Sequence, residues 1–191
     1  MHTNISIRMA TEADAKEILE IYTPYITDTA ISFEYDIPSV EEFAQRIRES
    51  LQMYPYIVAL EGNRIVGYAY ASAFKKRVAY DWAVETTVYL KQDCRGRGLG
   101  KKLYLALEDI LRRQNIINLN ACIAYTLETD IHLDNTSAIF HEHLGYKKVA
   151  HFTKCGYKFG TWYDMIWMEK LLGEHPDKPK PVIPITKLPV L

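Results

Sequence analysis

Long apolar runs are missing from this chain of 191 residues. No stretch approaches the roughly 20 consecutive apolar residues that a membrane-spanning helix needs. Met1-His2-Thr3-Asn4 leads straight into Ile5-Ser6-Ile7-Arg8, without the apolar centre of a secretory leader. A cytoplasmic protein with no membrane partner is therefore expected. Cysteine is scarce: Cys94, Cys122 and Cys155 are odd in number and lack metal-ligand spacing. That argues against a disulfide framework and a metal site, and for reduced thiols. Excess charge of one sign is lacking too, with 23 Lys and Arg against 24 Asp and Glu and a formal net charge of −1. The basic residues are spread along the chain, so no nucleic-acid partner is expected. Internal repeats are absent. Proline is sparse until the end, where residues 173–191 hold five of the eight and show no helical pattern. Residues 1–172 read as one domain and 173–191 as a proline-rich tail laid over the surface of the chain or of a partner subunit.

What is present is a core-forming composition, 48% apolar, organised around Tyr80 to Leu111. This stretch reads as strand, glycine-rich turn and helix. From Tyr80 to Leu90 residues alternate, with Trp82, Val84, Thr86, Val88 and Leu90 on one side and Asp81, Ala83, Glu85, Thr87 and Tyr89 on the other. The helix, opening near Gly98 to Gly100, carries Leu103, Leu107, Ile110 and Leu111 on one face. Between them lies Arg95-Gly96-Arg97-Gly98-Leu99-Gly100. Glycines permit positive φ and close approach of a ligand. A loop that opens a helix aims several N–H groups and the positive end of the helix dipole at one spot. Arg95, Arg97, Lys101 and Lys102 add cations, so the loop suits a diphosphate- or triphosphate-like anion. A Walker loop is excluded because Gly96 and Gly100 are too close, and a dinucleotide fingerprint because the spacing is GxGxG.

The rest of the chain supplies a β-α-α-β-β-β-α-β-α-β-β order. Ile5 to Arg8 is a short strand, and Thr11 to Asp14 caps a helix that buries Ile18, Leu19 and Tyr22. Ser39 to Glu42 is a capping box for a second helix with the stripe Phe43, Ile47, Leu51. Tyr56–Leu60 and Ile65–Ser72 form a hairpin, and the basic loop Lys75-Lys76-Arg77 leads to the central strand. A strand from Asn118 to Ile123, a helix from Asn135 to Leu144 ended by Gly145, and strands at Tyr146–Phe152 and Tyr163–Leu171 follow. The expected fold class is α/β (α+β): a mixed, largely antiparallel twisted sheet with one parallel pair and helices on both faces.

The pattern Arg95-x-x-Gly98-x-Gly100 resembles the pyrophosphate loop of the GNAT superfamily of N-acetyltransferases. Tyr80-Asp-Trp-Ala-Val-Glu-Thr-Thr-Val-Tyr89 is similar to the YDW-x-V-E-[ST]-T-V-Y strand of the phosphinothricin N-acetyltransferase branch. Further blocks agree in order: Tyr25-Ile26 with Ile31-Ser32-Phe33 and Glu41-Glu42-Phe43, then Phe140-His141-Glu142 with Leu144-Gly145-Tyr146, then Gly156 to Asp164. The resemblance runs from about residue 5 to 171. It implies the GNAT fold, in which the two parallel strands splay apart and acetyl-coenzyme A fills the gap as co-substrate, and it implies a homodimer. Where the family usually carries Asn, seven residues before the helix-end His, stands Asp134, with Asn135 beside it to take that place.

Acetyl transfer to an amine needs a base, a stabilised oxyanion and a tolerated leaving thiolate. Glu85, on the polar side of the central strand, can take the amine proton directly or through water, or hold the substrate ammonium. His141 is the second candidate, with a near-neutral intrinsic pKa, where many acetyltransferases place a Tyr associated with protonation of the leaving sulfur. Backbone N–H groups near Val88, Tyr89 and Leu90 would serve the oxyanion and the pantetheine arm. Arg95, Gly96, Arg97, Gly98, Leu99 and Gly100, with Asn135, would bind the rest of the coenzyme. Phe33, Tyr80 and Trp162 could wall the acceptor pocket, and Arg77 and Lys158 could pair with an anionic group of the acceptor. A small amino acid analogue, phosphinothricin- or methionine sulfoximine-like, fits these residues and the resemblance. The competing expectations are a different small amine and a non-catalytic coenzyme-binding module. The loop Lys75-Lys76-Arg77 speaks against a polycationic amine, and the presence of both Glu85 and His141 against a binding module.

Overall fold

The computed structural model of the chain describes residues 5–189. The fold divides into two compact units. The first gathers the chain up to Ile21, Pro38–Leu119 and the chain from Leu171 on; the second gathers Tyr22–Ile37 and Asn120–Lys170. Mixed α/β architecture with mostly antiparallel strands is found, as the alternating and 3.6-period patterns predict.

In the first unit the strands are β1 (Ile5–Met9), β2 (Tyr56–Glu61), β3 (Arg64–Ala73) and β4 (Ala83–Leu90), in that order and antiparallel throughout. The β2–β3 turn is two residues, Gly62-Asn63, with Gly62 at φ 63°, which suits glycine at a tight hairpin. Helix α1 (Ala15–Thr27) begins after a capping turn in which Asp14 accepts from the Thr11 N–H at 2.8 Å and pairs with Arg8. Helix α2 (Val40–Ser50) starts at Ser39, whose hydroxyl accepts the Glu42 N–H at 3.0 Å, and buries Phe43 and Ile47. Leu51, expected in its stripe, is instead the half-buried C-cap.

Helix α3 (Leu99–Arg113) packs on β2, β3 and β4. Gly67 makes this possible: a Cβ there would stand 2.4 Å from Leu90 Cδ2 and 3.4 Å from Leu103 Cδ1. The register places Thr86 opposite Ala71 and Val88 opposite Ala69, so small residues of β3 lie beside Thr86 and Val88 of β4 on the face under α3. The central strand begins at Ala83 rather than Tyr80, because Val78–Tyr80 is one 3-10 turn.

The second unit holds β5 (Asn118–Tyr125), α4 (Thr136–His143), β6 (Lys147–Lys158) and β7 (Thr161–Leu171), with β7 between β5 and β6. Strand β6 is longer than its apolar pattern predicts and runs on to Lys158, through an irregularity between Phe152 and Gly156 where Lys154 takes φ 50°. It turns into β7 at Phe159-Gly160, both at positive φ.

The proline-rich segment after Leu171 runs over the first unit. Trp82 Nε1 donates to the Lys180 carbonyl at 2.7 Å, and Asn115 Nδ2 to that of Pro181 at 2.8 Å. The buried Gln114 donates through Nε2 to the Met53 and Ile183 carbonyls, both at 2.7 Å, and its backbone carbonyl accepts the Ile183 N–H. Among the described residues, no helix is long and apolar enough to cross a membrane.

Candidate active site

In the first unit, β4 carries Glu85 at one end and meets the glycine loop after its other end. The antiparallel register pairs Glu85 with Ser72, Thr87 with Tyr70 and Tyr89 with Tyr68. Side chains paired across strands share a face, so Glu85 stands on the face opposite α3, in a row with stacked tyrosines. The rings of Tyr56 and Tyr70 lie 4.7 Å apart, and those of Tyr68 and Tyr89 lie 5.5 Å apart. Glu85 is half-buried on this aromatic surface. Burial raises its pKa above the ordinary carboxylate value, and the nearby Lys75 ammonium opposes the rise in part. On the other face Tyr104 of α3 donates towards the Thr86 hydroxyl at 3.4 Å, tying the helix behind the loop to the strand beside Glu85. The tyrosine row was not among the residues singled out from sequence. The signal for it was the alternation of Tyr68 and Tyr70 in β3.

The loop has the backbone expected of an anion cradle. Gly96 and Gly98 take φ 72° and 75°, Gly98 is the N-cap of α3, and nothing lies within 4 Å of where a Cβ on either would stand. Arg95 is exposed. Arg97 pairs with Glu61 and approaches Cys94 Sγ at 3.7 Å. Cys94 itself is buried, and burial together with Asp93 pushes its thiol up, away from a reactive thiolate. Arg77 and Tyr80 belong to the same turn between β3 and β4. The Tyr80 N–H donates to the Arg77 carbonyl at 2.8 Å, and the Tyr80 ring meets Phe74 edge-on.

The second unit holds Phe33, Asn135, His141, Lys158 and Trp162. His141 is only 4% exposed, packed edge-on against Phe140 and Tyr146. Its Nδ1 lies 2.7 Å from the Ser137 carbonyl. A carbonyl can only accept, so Nδ1 carries the proton. Burial lowers its pKa to about 4, which keeps the ring neutral. Asn135 uses both ends of its amide on one backbone unit, accepting the Thr126 N–H at 3.2 Å and donating to the Thr126 carbonyl at 2.8 Å. Asp134 accepts the Thr136 N–H at 2.9 Å in an Asx turn that leads into α4, whose N-cap is Asn135.

Lys158 corrects the expectation that its cation meets a substrate anion. It is 3% exposed, and Nζ donates to the carbonyls of Ile26 at 2.8 Å, Thr29 at 3.0 Å and Ser32 at 2.6 Å. An ammonium has three N–H bonds, and all three are used. Phe33 lies against Gly156, where a Cβ would come within 2.2 Å of its ring. Trp162 is 56% exposed and its ring stands 5.0 Å from that of Tyr157.

Comparison with known proteins accords with this geometry. The acetyltransferase (GNAT) domain family matches residues 7–167. The phosphinothricin N-acetyltransferase of Streptomyces viridochromogenes is 32% identical over 185 residues, covering 96% of this chain and 96% of that protein. A Salmonella typhimurium L-methionine sulfoximine/L-methionine sulfone acetyltransferase is 30% identical, over 90% of this chain and 96% of its own. The crystal structure of a phosphinothricin acetyltransferase from Sinorhizobium meliloti in complex with AcCoA has a TM-score of 0.85 and 33% identity, covering 95% of this chain and 97% of that one. With its glycine loop on the N-terminus of α3 and its match over most of the chain, this protein belongs to the GNAT acetyltransferase family.

Proposed function

We propose that this acetyltransferase moves the acetyl group of acetyl-coenzyme A to the α-amine of a small amino acid analogue of the phosphinothricin or methionine sulfoximine kind. The observation that carries the reading is Glu85. It is a half-buried carboxylate of raised pKa, on a strand that runs into an anion loop of left-handed glycines. The two relatives named above, whose acceptors are of this kind, support the choice of substrate.

In this reading the loop N–H groups from Arg95 to Gly100 hold the coenzyme diphosphate. Backbone N–H groups near Val88, Tyr89 and Leu90 hold the pantetheine arm and stabilise the developing oxyanion. Glu85 takes a proton from the acceptor ammonium, and the freed lone pair attacks the thioester carbonyl carbon. The tetrahedral intermediate collapses with cleavage of the C–S bond, and the second amine proton balances the charge of the departing thiolate. A base poised above the ordinary carboxylate range suits this task better than a fully exposed one. His141, neutral and enclosed, serves as a positioning group for α4, and Asn135 as a clip on the end of β5. Arg77 is the exposed cation proposed to meet the acidic group of the acceptor, with Tyr80, Phe33 and Trp162 as apolar contacts.

A homodimer and a cytoplasmic setting complete the proposal. Strand β6 ends the order of strands and leaves Val149, Phe152 and Tyr157 exposed, an edge that a second copy would cover. The cysteines are free thiols, as a reducing compartment allows. The test is acetyl-coenzyme A consumption over a panel of amino acids, their sulfoximine and phosphinate analogues, polyamines and peptides, on protein weighed by light scattering. Turnover confined to the amino acid analogues by a particle of twice 22.1 kDa is expected. Turnover confined to polyamines or peptides contradicts the acceptor class, and a particle of 22.1 kDa contradicts the dimer.

A further inference from the structure

A buried ammonium that spends every N–H on backbone carbonyls is a fastening. Lys158 closes on three carbonyls within seven residues of chain, Ile26, Thr29 and Ser32, at the end of α1 and in the loop that follows. Carbonyls at a helix end lack intrahelical partners, and a cation is their natural complement. The same loop is held at other points. Tyr22 and Ser32 share a hydroxyl hydrogen bond of 2.7 Å, the Ser32 Oγ accepts the Glu34 N–H at 3.2 Å, and the Ala30 N–H donates to the His132 carbonyl at 3.0 Å. Phe33 comes next in the chain and lies on Gly156, two residues before Lys158 on β6. Only a glycine leaves room for that ring. Tyr35 then donates to the Tyr157 carbonyl. The loop and the end of β6 thus interlock residue by residue: Phe33 on Gly156, Tyr35 on Tyr157, and the loop carbonyls on Lys158.

We propose that Lys158 is a positioning residue for the acceptor. By gathering the Ile26, Thr29 and Ser32 carbonyls it fixes the loop that presents Phe33, and so sets acceptor affinity without touching the acceptor. This rests on the reading of Phe33 as an acceptor contact. A clip of this kind acts on any acceptor, whatever its charge, and leaves the coenzyme loop on α3 alone. Arginine is no substitute, because a planar guanidinium spreads its donors in a fork and cannot converge on three carbonyls from one nitrogen.

The experiment measures steady-state constants for wild type, Lys158→Met and Gly156→Ala, with methionine sulfoximine and with its carboxamide, which keeps the amine and lacks the anionic carboxylate, as acceptors. The proposal expects Lys158→Met to raise KM for both acceptors by about tenfold or more, the scale on which small misplacements act. KM for acetyl-coenzyme A and kcat at saturating acceptor should change by less than about threefold. Gly156→Ala, which keeps the lysine and displaces the Phe33 ring, should move acceptor KM in the same way, and it decides the matter alone if Lys158→Met does not fold. A rise confined to the anionic acceptor would overturn the proposal in favour of direct pairing. Unaltered acceptor KM in a folded variant would overturn it outright. Wild-type enzyme that turns over neither acceptor would instead strike the substrate reading on which it rests.

Discussion

Burial acts on Glu85 and His141 in opposite directions. For His141 the folded-state pKa of about 4 lies below the ordinary 6.5. The neutral ring therefore adds stability that is complete above pH 6.5 and is lost as pH falls towards 4. A gap of that size corresponds to about 3 kcal/mol. For Glu85 the folded-state value is raised, so its contribution is present below the ordinary 4.5 and is lost as pH rises through the raised value. The two slopes oppose each other on the acid side, and the fully enclosed histidine outweighs the half-buried glutamate. Urea unfolding at a series of pH values checks this. Wild type should lose stability between pH 6.5 and 4 markedly faster than His141→Gln, which has no imidazole to protonate. Parallel curves would show that His141 does not resist protonation in the fold. At this scale the sequence was a partial guide. It marked Glu85 by its place in an otherwise apolar and β-branched strand. It could not show that Lys158 faces three carbonyls more than 120 positions earlier in the chain, since convergence over such separation leaves no local pattern.

At the level of elements, the strand, loop and helix from Ala83 to Arg113 were the most legible part of the chain. Period-2 alternation, clustered glycines and a 3.6-period stripe each speak to one local conformation, and all three agree. The hairpin of β6 and β7 was legible only in part. Its turn uses Phe159 at φ 50° where Asn or Asp would ordinarily mark the position, and the irregularity before Gly156 interrupts the alternation. The glycine loop proposed to hold the coenzyme gives this scale its prediction. At Gly98 a side chain meets open space but the wrong φ, 75°, and in the proposed reading it would fill the place of the coenzyme diphosphate. Gly98→Val should therefore weaken acetyl-coenzyme A binding by tenfold or more, on the order of 1.4 kcal/mol, and lower the melting temperature modestly. Calorimetric titration with unchanged affinity would remove the loop from the coenzyme site. Arg97→Ala should cost less, because its guanidinium is exposed and already paired with Glu61.

For the whole molecule, composition argued against more than it identified: a formal net charge of only −1, scattered basic residues and unspaced cysteines spoke against nucleic acid, disulfide and metal readings. The ordered blocks from the N-terminal strand to β7 then narrowed the family. The proline-rich end was legible as non-helical, but not as a strap. Its hold on Trp82, Gln114 and Asn115 runs through backbone carbonyls, which every sequence possesses. The account turns on Glu85 as the base, and the pH dependence of kcat/KM for the acceptor in wild type and Glu85→Gln tests it most directly. Wild type should show an acid limb set by a carboxylate titrating above the ordinary 4.5. Glu85→Gln keeps shape and hydrogen bonding, and should fall by roughly two to four orders of magnitude. Its residual activity should climb about tenfold per pH unit as more amine arrives already deprotonated, while acetyl-coenzyme A affinity stays unchanged. A Glu85→Gln enzyme with near-normal activity and the wild-type acid limb would contradict the account.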